Sequence, residues 1–547
     1  MAINWVDTRR ARAALRRERG AIIQDWGGRL AIALVFPNRY FVGMSCLGFQ
    51  LVYRLFNNFP GSLCERAFLD GSGTILSLES QRPLADFVAV AFSVSFELDY
   101  FGIVEALRRS GLPLWSEQRD ERHPLVIAGG PCVTANPEPI AQFCDAIVIG
   151  EAEAIVPRLS AMLLDVVQSD REEQLNALST LPGVYVPLLH RPGVTAPVKR
   201  QWVRYLDDWP AASIIRTPET ELGDTLLVEV ARGCARGCRF CLAGFCFRPM
   251  RPRSIQRLFN EIDDQPGTKR VGLVGAAVSD HPDIDALVSG LRNRGLRLSA
   301  SSLRAESLTP KLLQGLAESG ARTITLAPEA GSERLRAGLN KTLTDDGLLD
   351  AIRAIGGWRF SQLKLYFMAG LPGDDGNDSD AIIRLVERVQ QALEASTHGM
   401  SISVNLGPFV PKAQTPLERV AMAPVPVLRD NMRYVRQQLR QRGARITEES
   451  AEWAEVQGVL SRGDRRLADV IASMTSPTLA SWRLALREAS LDAQDFVGEW
   501  PASRTLPWQV VESGVHPAYR HNEACRVLDQ TDTPPCPSGW CQRCGVC

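Results

Sequence analysis

Short apolar runs alternate with helical patterns along the N-terminal part of the chain. A continuous apolar run at residues 29–36 is typical of a strand buried on both faces. Further strand candidates lie at 87–92, 125–128 and 146–149, with amphipathic stretches between them. Strands that alternate with helices predict a doubly wound, Rossmann-type α/β domain over about residues 26–165.

A second alternation follows a connector at residues 166–222, which Pro-Gly pairs interrupt. Because each strand candidate is followed by a helical pattern, residues 223–420 are predicted to form a partial (β/α)6 TIM barrel, with its chemistry at the carboxyl ends of the strands. Residues 421–525 are predicted to be helical, residues 1–25 to form a basic leader, and residues 526–547 to form a Cys-rich metal-binding tail. The six strand candidates are 226–230, 270–275, 296–301, 323–327, 363–368 and 401–406.

Composition narrows the class of protein. The 547 residues are 45% hydrophobic and 23% charged, as in ordinary globular proteins. Lys plus Arg and Asp plus Glu number 62 each, so no overall positive field indicates a nucleic-acid partner. No apolar run approaches the roughly 18 residues needed to span a bilayer, which predicts a cytoplasmic protein without a membrane partner. The chain has thirteen cysteines, and the clustering of several of them then favours metal binding over disulfides.

Three of these cysteines, Cys234, Cys238 and Cys241, have the spacing C-x3-C-x2-C directly after a predicted strand. Three thiolates can hold three irons of a 4Fe–4S cluster and leave the fourth iron open to a substrate. A zinc site or three unrelated buried thiols is the alternative, and Cys246 is expected to be a buried thiol rather than a ligand. The segment resembles the cluster motif of the radical S-adenosylmethionine (radical SAM) superfamily.

The resemblance extends past the cysteines and implies a site for S-adenosylmethionine (SAM). It places Phe240 near the adenine, and the segment 275–280 departs from the usual Gly-Gly-Glu, which leaves the partner of the SAM amine open. Ser302 and Arg304, at the end of the third barrel strand, are candidates for the SAM carboxylate; a surface ion pair is the alternative for Arg304. The resemblance also implies ribose contacts from Glu329 and Ser332 and close backbone approach to adenine at Gly370 and Gly373.

The N-terminal domain resembles the cobalamin-binding domain that precedes many radical SAM domains. The resemblance rests on the segments 127–131 and 145–151. No Asp-x-His-x-x-Gly is present, so no histidine is positioned to ligate cobalt, and a domain that no longer binds cobalamin is the alternative. The residues implied to line the cofactor are Ser93, Ser95, Gly129, Gly130, Gly150 and Glu151.

Four more cysteines, Cys536, Cys541, Cys544 and Cys547, lie within the last twelve residues at the spacing C-x4-C-x2-C-x2-C. Four thiolates at this density can close around zinc or hold an auxiliary cluster, and an unliganded tail is the alternative. A Cys-x-x-Cys-Gly-x-Cys ending also occurs in a resembling group of radical SAM proteins without a settled reaction.

These features predict a radical SAM enzyme that cleaves SAM reductively to a 5′-deoxyadenosyl radical. If cobalamin binds, the expected outcome is methyl transfer to an unactivated carbon. A methylthiotransferase-like or other radical modification without cobalamin is one alternative, and a non-enzymatic iron–sulfur scaffold or electron-transfer module is another. A reductant such as flavodoxin or ferredoxin is the expected partner, and the sequence does not identify the substrate.

Overall fold

In a computed structural model, residues 5–300, 302–394, 399–537 and 541–547 are described. The chain divides into two compact units. The first comprises Met1–Leu226, Leu460–Asp492 and Thr505–Gly514, and the second Leu227–Val459, Ala493–Arg504 and Val515–Cys547. The predicted helical segment 421–525 is thus shared between the two units. Over the described ranges, no helix is both long enough and apolar enough to cross a membrane.

The strands follow the two predicted alternations. They are β1 (Leu30–Phe36), β2 (Ser62–Phe68), β3 (Ala89–Ser93), β4 (Leu125–Gly129), β5 (Ala146–Val148), β6 (Val184–Tyr185), β7 (Val198–Lys199), β8 (Leu226–Glu229), β9 (Ala231–Arg232), β10 (Arg251–Pro252), β11 (Arg270–Val274), β12 (Arg297–Ala300), β13 (Thr323–Glu329), β14 (Gln362–Ala369), β15 (Ser401–Pro408), β16 (Arg445–Glu448) and β17 (Val511–Glu512).

The helices lie between these strands and after the last barrel strand. They are α1 (Trp5–Arg17), α2 (Tyr40–Gly43), α3 (Leu47–Asn58), α4 (Tyr100–Arg109), α5 (Pro131–Ala135), α6 (Ala152–Val166), α7 (Arg171–Ser179), α8 (Ala243–Cys246), α9 (Ile255–Asp263), α10 (Ile284–Asn293), α11 (Pro310–Glu318), α12 (Glu333–Gly338), α13 (Asp345–Gly356), α14 (Asp378–Glu394), α15 (Val425–Gln441), α16 (Ala451–Arg462), α17 (Leu467–Ser473), α18 (Leu479–Glu488), α19 (Gln494–Val497) and α20 (Pro517–Asp529).

The first unit is built on a sheet in the order β2-β1-β3-β4-β5-β6. The strands β1 to β5 pair in parallel, and β6 is antiparallel to β5. The order 2-1-3-4-5 is that of flavodoxin-like doubly wound sheets, in which ligands bind outside the carboxyl ends of the strands near the β1/β3 switch point. The predicted doubly wound fold is confirmed.

Strand β2 was not predicted from the sequence, because it carries charged residues in the interior. The guanidinium of Arg66 is fully buried between two carboxylates, with Nη2 2.6 Å from Oε2 of Glu18 and Nε 2.8 Å from Oε1 of Glu79. Glu18 follows α1, and Ala11 of α1 belongs to the core of this unit. The segment predicted as a basic leader therefore packs into the first unit.

The second unit contains the six predicted barrel strands within two or three residues of their expected bounds; the expected end of the third strand, Ser301, lies outside the described residues. One ladder has the order β12-β11-β8, and the other is β13-β14-β15-β16, parallel throughout. Strand β16 is an addition, because residues 445–448 were predicted as part of a helical region. Parallel strands bring their carboxyl ends to one edge, which collects the candidate site residues.

Candidate functional site

The loop that carries the three cysteines, residues 233–241, leaves β8 and is held in a tight fold. Strand β9 pairs antiparallel with β10, which brings the loop back toward the sheet. Gly233 has a φ of +77°, and a Cβ there would lie 2.3 Å from the carbonyl oxygen of Phe247. Only glycine satisfies both conditions. We call residues 233–241 the cluster loop.

The cluster loop places its three thiols in a poorly solvated environment. Cys238 is 8% exposed, and Cys234 and Cys241 are partly buried. Burial raises the pKa of Cys234 and raises that of Cys241 to about 12. Buried thiols of this kind become thiolates when a metal supplies the compensating charge, so the donor set fits iron.

No three His, Cys, Asp or Glu side chains among the described residues are arranged to hold one metal ion. A cubane makes a different demand, because each of its three thiolates binds a different iron. Cys234, Cys238 and Cys241 are therefore compatible with a 4Fe–4S cluster.

Phe240, the residue predicted to contact adenine, lies beside the ends of two barrel strands. Its half-buried ring packs with a cluster that includes Ala330, Met368 and Leu371, which follow or end β13 and β14. Gly370 has a φ of +73°, and a Cβ there would lie 2.6 Å from Leu428, so packing already requires glycine. Gly373 is exposed and has no such contact, its nearest neighbour being 3.7 Å from an added Cβ.

Arg304 is buried and lies beside the cluster loop. Its Nη2 donates to Glu306 Oε1 at 2.7 Å, whereas its Nε has no hydrogen-bond partner and lies 3.9 Å from Oδ2 of Asp280. Burial opposes the charge of Arg304, but Glu306 and the thiol of Cys238 raise its pKa. A buried N–H without a partner, next to two cysteines of the loop, fits an anionic ligand group such as a carboxylate.

Asp280, in the segment that replaces Gly-Gly-Glu, is a residue that sequence reasoning did not assign. It accepts two hydrogen bonds from Arg236 of the cluster loop, from Nε at 2.8 Å and from Nη2 at 3.1 Å. Burial raises the pKa of Asp280, but the bonds from Arg236 and Ser307 outweigh it and leave the pKa lowered. Asp280 thus fixes the cluster loop against the end of β11.

The two ribose candidates have different surroundings. Glu329 adopts a φ of +74° at an irregular register step of β13, a strained conformation for a residue other than glycine. Its carboxylate lies 3.7 Å from Nζ of Lys341, and burial raises its pKa despite that neighbour. Ser332 caps α12 by accepting from the N–H of Leu335 at 3.3 Å, which gives it a structural role. The carbonyl of Ser302 accepts from the N–H of Val278 at 2.9 Å.

Two further residues, Asn340 and Arg239, tie the cluster loop to the C-terminal segment. Asn340 donates from Nδ2 to the carbonyl oxygens of Arg236 and Gly237, at 2.9 and 3.2 Å, and accepts from the N–H of Thr533 at 2.8 Å. Arg239 is fully buried within the motif, and its Nε lies 3.1 Å from Oε2 of Glu523. The partners of Asn340 and Arg239 are distant in sequence, so no local pattern predicted that these two residues hold the cluster loop.

In the first unit, Ser93, Ser95 and Gly129 follow or end β3 and β4 at the carboxyl edge of the sheet. Ser95 is exposed, with its Oγ 3.8 Å from Sγ of Cys46. Gly129 is partly exposed, and an added Cβ would make only ordinary contact with Val148 at 3.5 Å. Protein packing therefore does not require glycine at position 129.

The other three candidates for the cobalamin site are accounted for by the protein itself. A Cβ on Gly130 would lie 2.2 Å from the carbonyl oxygen of Val94, and one on Gly150 would lie 2.0 Å from that of Gln201. Glu151 is buried and accepts from the N–H of Val203 at 3.2 Å. These contacts give each residue a structural reason that needs no cofactor.

The four tail cysteines lie near one another in the second unit. Cys544 is 3% exposed and packs with Phe245 and Val515, whereas the other three are partly buried. Burial raises the pKa of Cys536, and the thiols of Cys544, Cys541 and Cys547 raise it further, so all four share one environment. A bound metal in the tail stays a prediction.

Two protein-family models match the chain. The model for the N-terminal region of radical SAM proteins matches residues 48–187, and that for the radical SAM superfamily matches residues 228–386. The second match begins in β8, ends in α14 and contains the whole cluster loop.

Among known proteins, an uncharacterized protein of Methanocaldococcus jannaschii is 29% identical over 457 residues, which are 82% of this chain and 92% of that protein. An uncharacterized methyltransferase of Pyrococcus horikoshii is 24% identical over 280 residues, covering 48% of this chain and 58% of the relative. The structure of the radical SAM methyltransferase TsrM from Kitasatospora setae, with cobalamin and a 4Fe–4S cluster bound, aligns over 84% of this chain and 99% of that chain, with 14% identity and a TM-score of 0.48.

Proposed function

Since this chain is an enzyme of the radical SAM superfamily, with both the N-terminal and the central domain of such proteins, we propose that it cleaves SAM reductively to a 5′-deoxyadenosyl radical. The observation that carries the proposal is the cluster loop, which presents Cys234, Cys238 and Cys241 next to Arg304, whose Nε has no hydrogen-bond partner. A 4Fe–4S cluster at these cysteines supplies one electron and an open iron for SAM.

The chain's own residues have the following roles in this proposal. The Nε of Arg304 donates to the carboxylate of SAM, and Phe240 covers the adenine from the side of the cluster loop. Asp280 and Arg236 hold the cluster loop in place through their paired hydrogen bonds. Glu329, in its strained conformation, offers a carboxylate to the ribose hydroxyls.

We further infer that the first unit binds cobalamin and that the reaction is methyl transfer to an unactivated carbon. The support is the 2-1-3-4-5 sheet order, together with the space at Gly129 and the exposed Ser95 at its carboxyl edge. Phe41 and Phe96 follow β1 and β3, the strands of the switch point, and are 51% and 43% exposed, which suits an apolar ring system. Bound cobalamin would supply the methyl group.

Radical chemistry is tested by anaerobic incubation of the reconstituted enzyme with dithionite and SAM. We expect 5′-deoxyadenosine from the wild type and none from Cys238→Ser, whereas Cys246→Ser, a change at a buried cysteine outside the motif, keeps activity. A wild type that holds iron but forms no 5′-deoxyadenosine would identify the protein as an iron–sulfur scaffold or electron-transfer module and refute the proposal.

Cobalamin binding is tested separately by ultraviolet–visible spectra after reconstitution with hydroxocobalamin and gel filtration. Gly129→Leu fills the space at the carboxyl edge and is expected to abolish the corrin absorption that the wild type retains. Gly27→Leu is the matched control, since a Cβ at Gly27 has no neighbour within 4 Å. Equal retention of cobalamin by wild type and Gly129→Leu would place the cofactor elsewhere, and no retention by wild type would remove cobalamin from the reaction.

A further inference from the structure

We propose that Cys536, Cys541, Cys544 and Cys547 hold a second iron–sulfur cluster, in which every iron is bound by a cysteine. This cluster passes electrons to the cluster held by the cluster loop, and this relay role rests on the proposed SAM cleavage. These four cysteines, called the tail site, are all among the described residues. Exposed Cys525, on α20, is not assigned to the tail site; its Sγ lies 3.8 Å from Nε2 of His521.

The tail site is attached to the cluster loop by backbone. The N–H of Cys536 donates to the carbonyl oxygen of Ala235 at 2.7 Å, and Ala235 lies directly after Cys234. Asn340 adds a second connection, because it donates to Gly237 and accepts from Thr533, three residues before Cys536. The first cysteine of the tail site is therefore one hydrogen bond from the loop that binds the radical cluster.

Backbone contacts fix two of the cysteines of the tail site. The N–H of Arg543 points to Sγ of Cys541 at 3.4 Å, which repeats the contact in the cluster loop, where the N–H of Arg236 lies 3.5 Å from Sγ of Cys234. A backbone N–H directed at sulfur stabilises the thiolate form. The carbonyl of Cys544 accepts from the N–H of His516 at 2.9 Å, which fixes the middle of the tail site.

A buried cation lies beside the tail site, which suits a redox-active cluster. Arg248 is hydrogen-bonded to the thiol of Cys544 and stacks over Phe245, 4.6 Å from the ring centroid. A buried cation beside sulfur stabilises the added negative charge of a reduced cluster.

The number of ligands decides the role of the tail site. Four thiolates saturate all four irons, so no iron is open for SAM or substrate. In the proposed relay, a reduced protein of the flavodoxin or ferredoxin class would give one electron to the tail site, which would return to its oxidised state by reducing the cluster in the cluster loop. That electron is consumed when the C–S bond of SAM breaks, giving methionine and the 5′-deoxyadenosyl radical.

The tail site is tested first by iron and zinc analysis and by electron paramagnetic resonance of the anaerobically reconstituted full chain. We expect about eight irons per wild-type chain and about half of that number in Cys541→Ser and in Cys547→Ser. Cys525→Ser is the matched control and keeps all the iron. In the reduced wild type, SAM is expected to change one cluster signal and leave the other unchanged. Four irons in wild type, or one zinc per chain, would overturn the proposal.

The relay role is tested by comparing two reductants in the SAM cleavage assay. Cys541→Ser is expected to lose 5′-deoxyadenosine formation with reduced flavodoxin and to retain it with dithionite, a small reductant that needs no relay. An unchanged ratio between the two reductants in Cys541→Ser and Cys547→Ser would refute the relay. Eight irons without any SAM cleavage in wild type would refute the proposed function alone, because the iron count does not depend on activity.

Discussion

The buried contact between Arg239 and Glu523 is expected to fix the C-terminal helix α20 against the cluster loop, and Arg239→Met tests this. The substitution keeps the length and apolar stem of the side chain and removes the guanidinium. It breaks the bond to Glu523 and removes two donors from carbonyl oxygens, those of Gly338 at 2.8 Å and Thr531 at 2.7 Å.

Removing one partner of a buried ion pair destabilises a protein by about 3–5 kcal/mol. The lower end applies here, because Glu523 keeps the hydroxyl of Thr533 at 2.7 Å and Arg526 at 3.2 Å. We therefore expect a loss of about 3 kcal/mol in the free energy of unfolding of the second unit. At about 2–4 °C per kcal/mol, this lowers the Tm of its transition by roughly 6–12 °C.

Differential scanning calorimetry of cluster-free protein under reducing conditions measures the transition, and hydrogen exchange of peptides from α20 identifies the part that opens. Arg526→Met is the matched control: Arg526 also contacts Glu523, but its side chain is 41% exposed and should contribute at most about 1 kcal/mol. A Tm loss in Arg239→Met no larger than that in Arg526→Met, or unchanged exchange in α20, would contradict this role of the Arg239–Glu523 contact.

Three further predictions concern other parts of the molecule. Burial raises the pKa of Asp99 to about 6, so folding favours its protonated form and the free energy of unfolding falls as pH rises from about 4 to about 6. Urea unfolding of the wild type should therefore show a loss of about 3 kcal/mol over that interval relative to Asp99→Asn. Parallel pH profiles for the two proteins would contradict this prediction. Gly150→Ala places a Cβ 2.0 Å from a backbone oxygen at a φ of +127°, and it should lower the free energy of unfolding by at least about 3 kcal/mol. Gly223→Ala, which has a positive φ but no neighbour near the added Cβ, should lower it by about 1 kcal/mol in the same urea assay. Arg304→Gln should weaken SAM binding in equilibrium dialysis by about 1.5–3 kcal/mol and leave the iron content unchanged; unaltered SAM binding would exclude Arg304 as the carboxylate partner.

The strands that were predicted from sequence are those in which the local pattern of apolar and polar residues is enough to identify a strand. The six barrel strands and β1 are apolar runs bounded by polar turns, and the structure places each of them close to its expected bounds. Strand β2 lacks that pattern because Arg66 is buried, and the burial is possible only since Glu18 and Glu79 meet it from distant positions. A local pattern contains no information about such partners.

The same distinction applies to the site. The cysteines of the cluster loop and Phe240 lie within eight residues; the cysteine spacing indicated a cluster, and the resemblance to the radical SAM motif implied the role of Phe240. Asp280 and Asn340 act through contacts over 44 and 104 positions, which no spacing rule anticipates. Conversely, the glycines at 130 and 150 matched an expected cofactor motif, although close backbone contacts within the first unit already require them.

The separation between Arg239 and Glu523 along the chain has a consequence for how the protein is made. The two residues are 284 positions apart, and the cluster loop leaves the ribosome long before the segment that covers it. At synthesis rates of about 5–20 residues per second, the cluster loop stays uncovered for roughly 15 to 60 seconds. The complete set of contacts around the cluster loop therefore forms only when synthesis is nearly finished, because Glu523 and Thr531, two partners of Arg239, are made late.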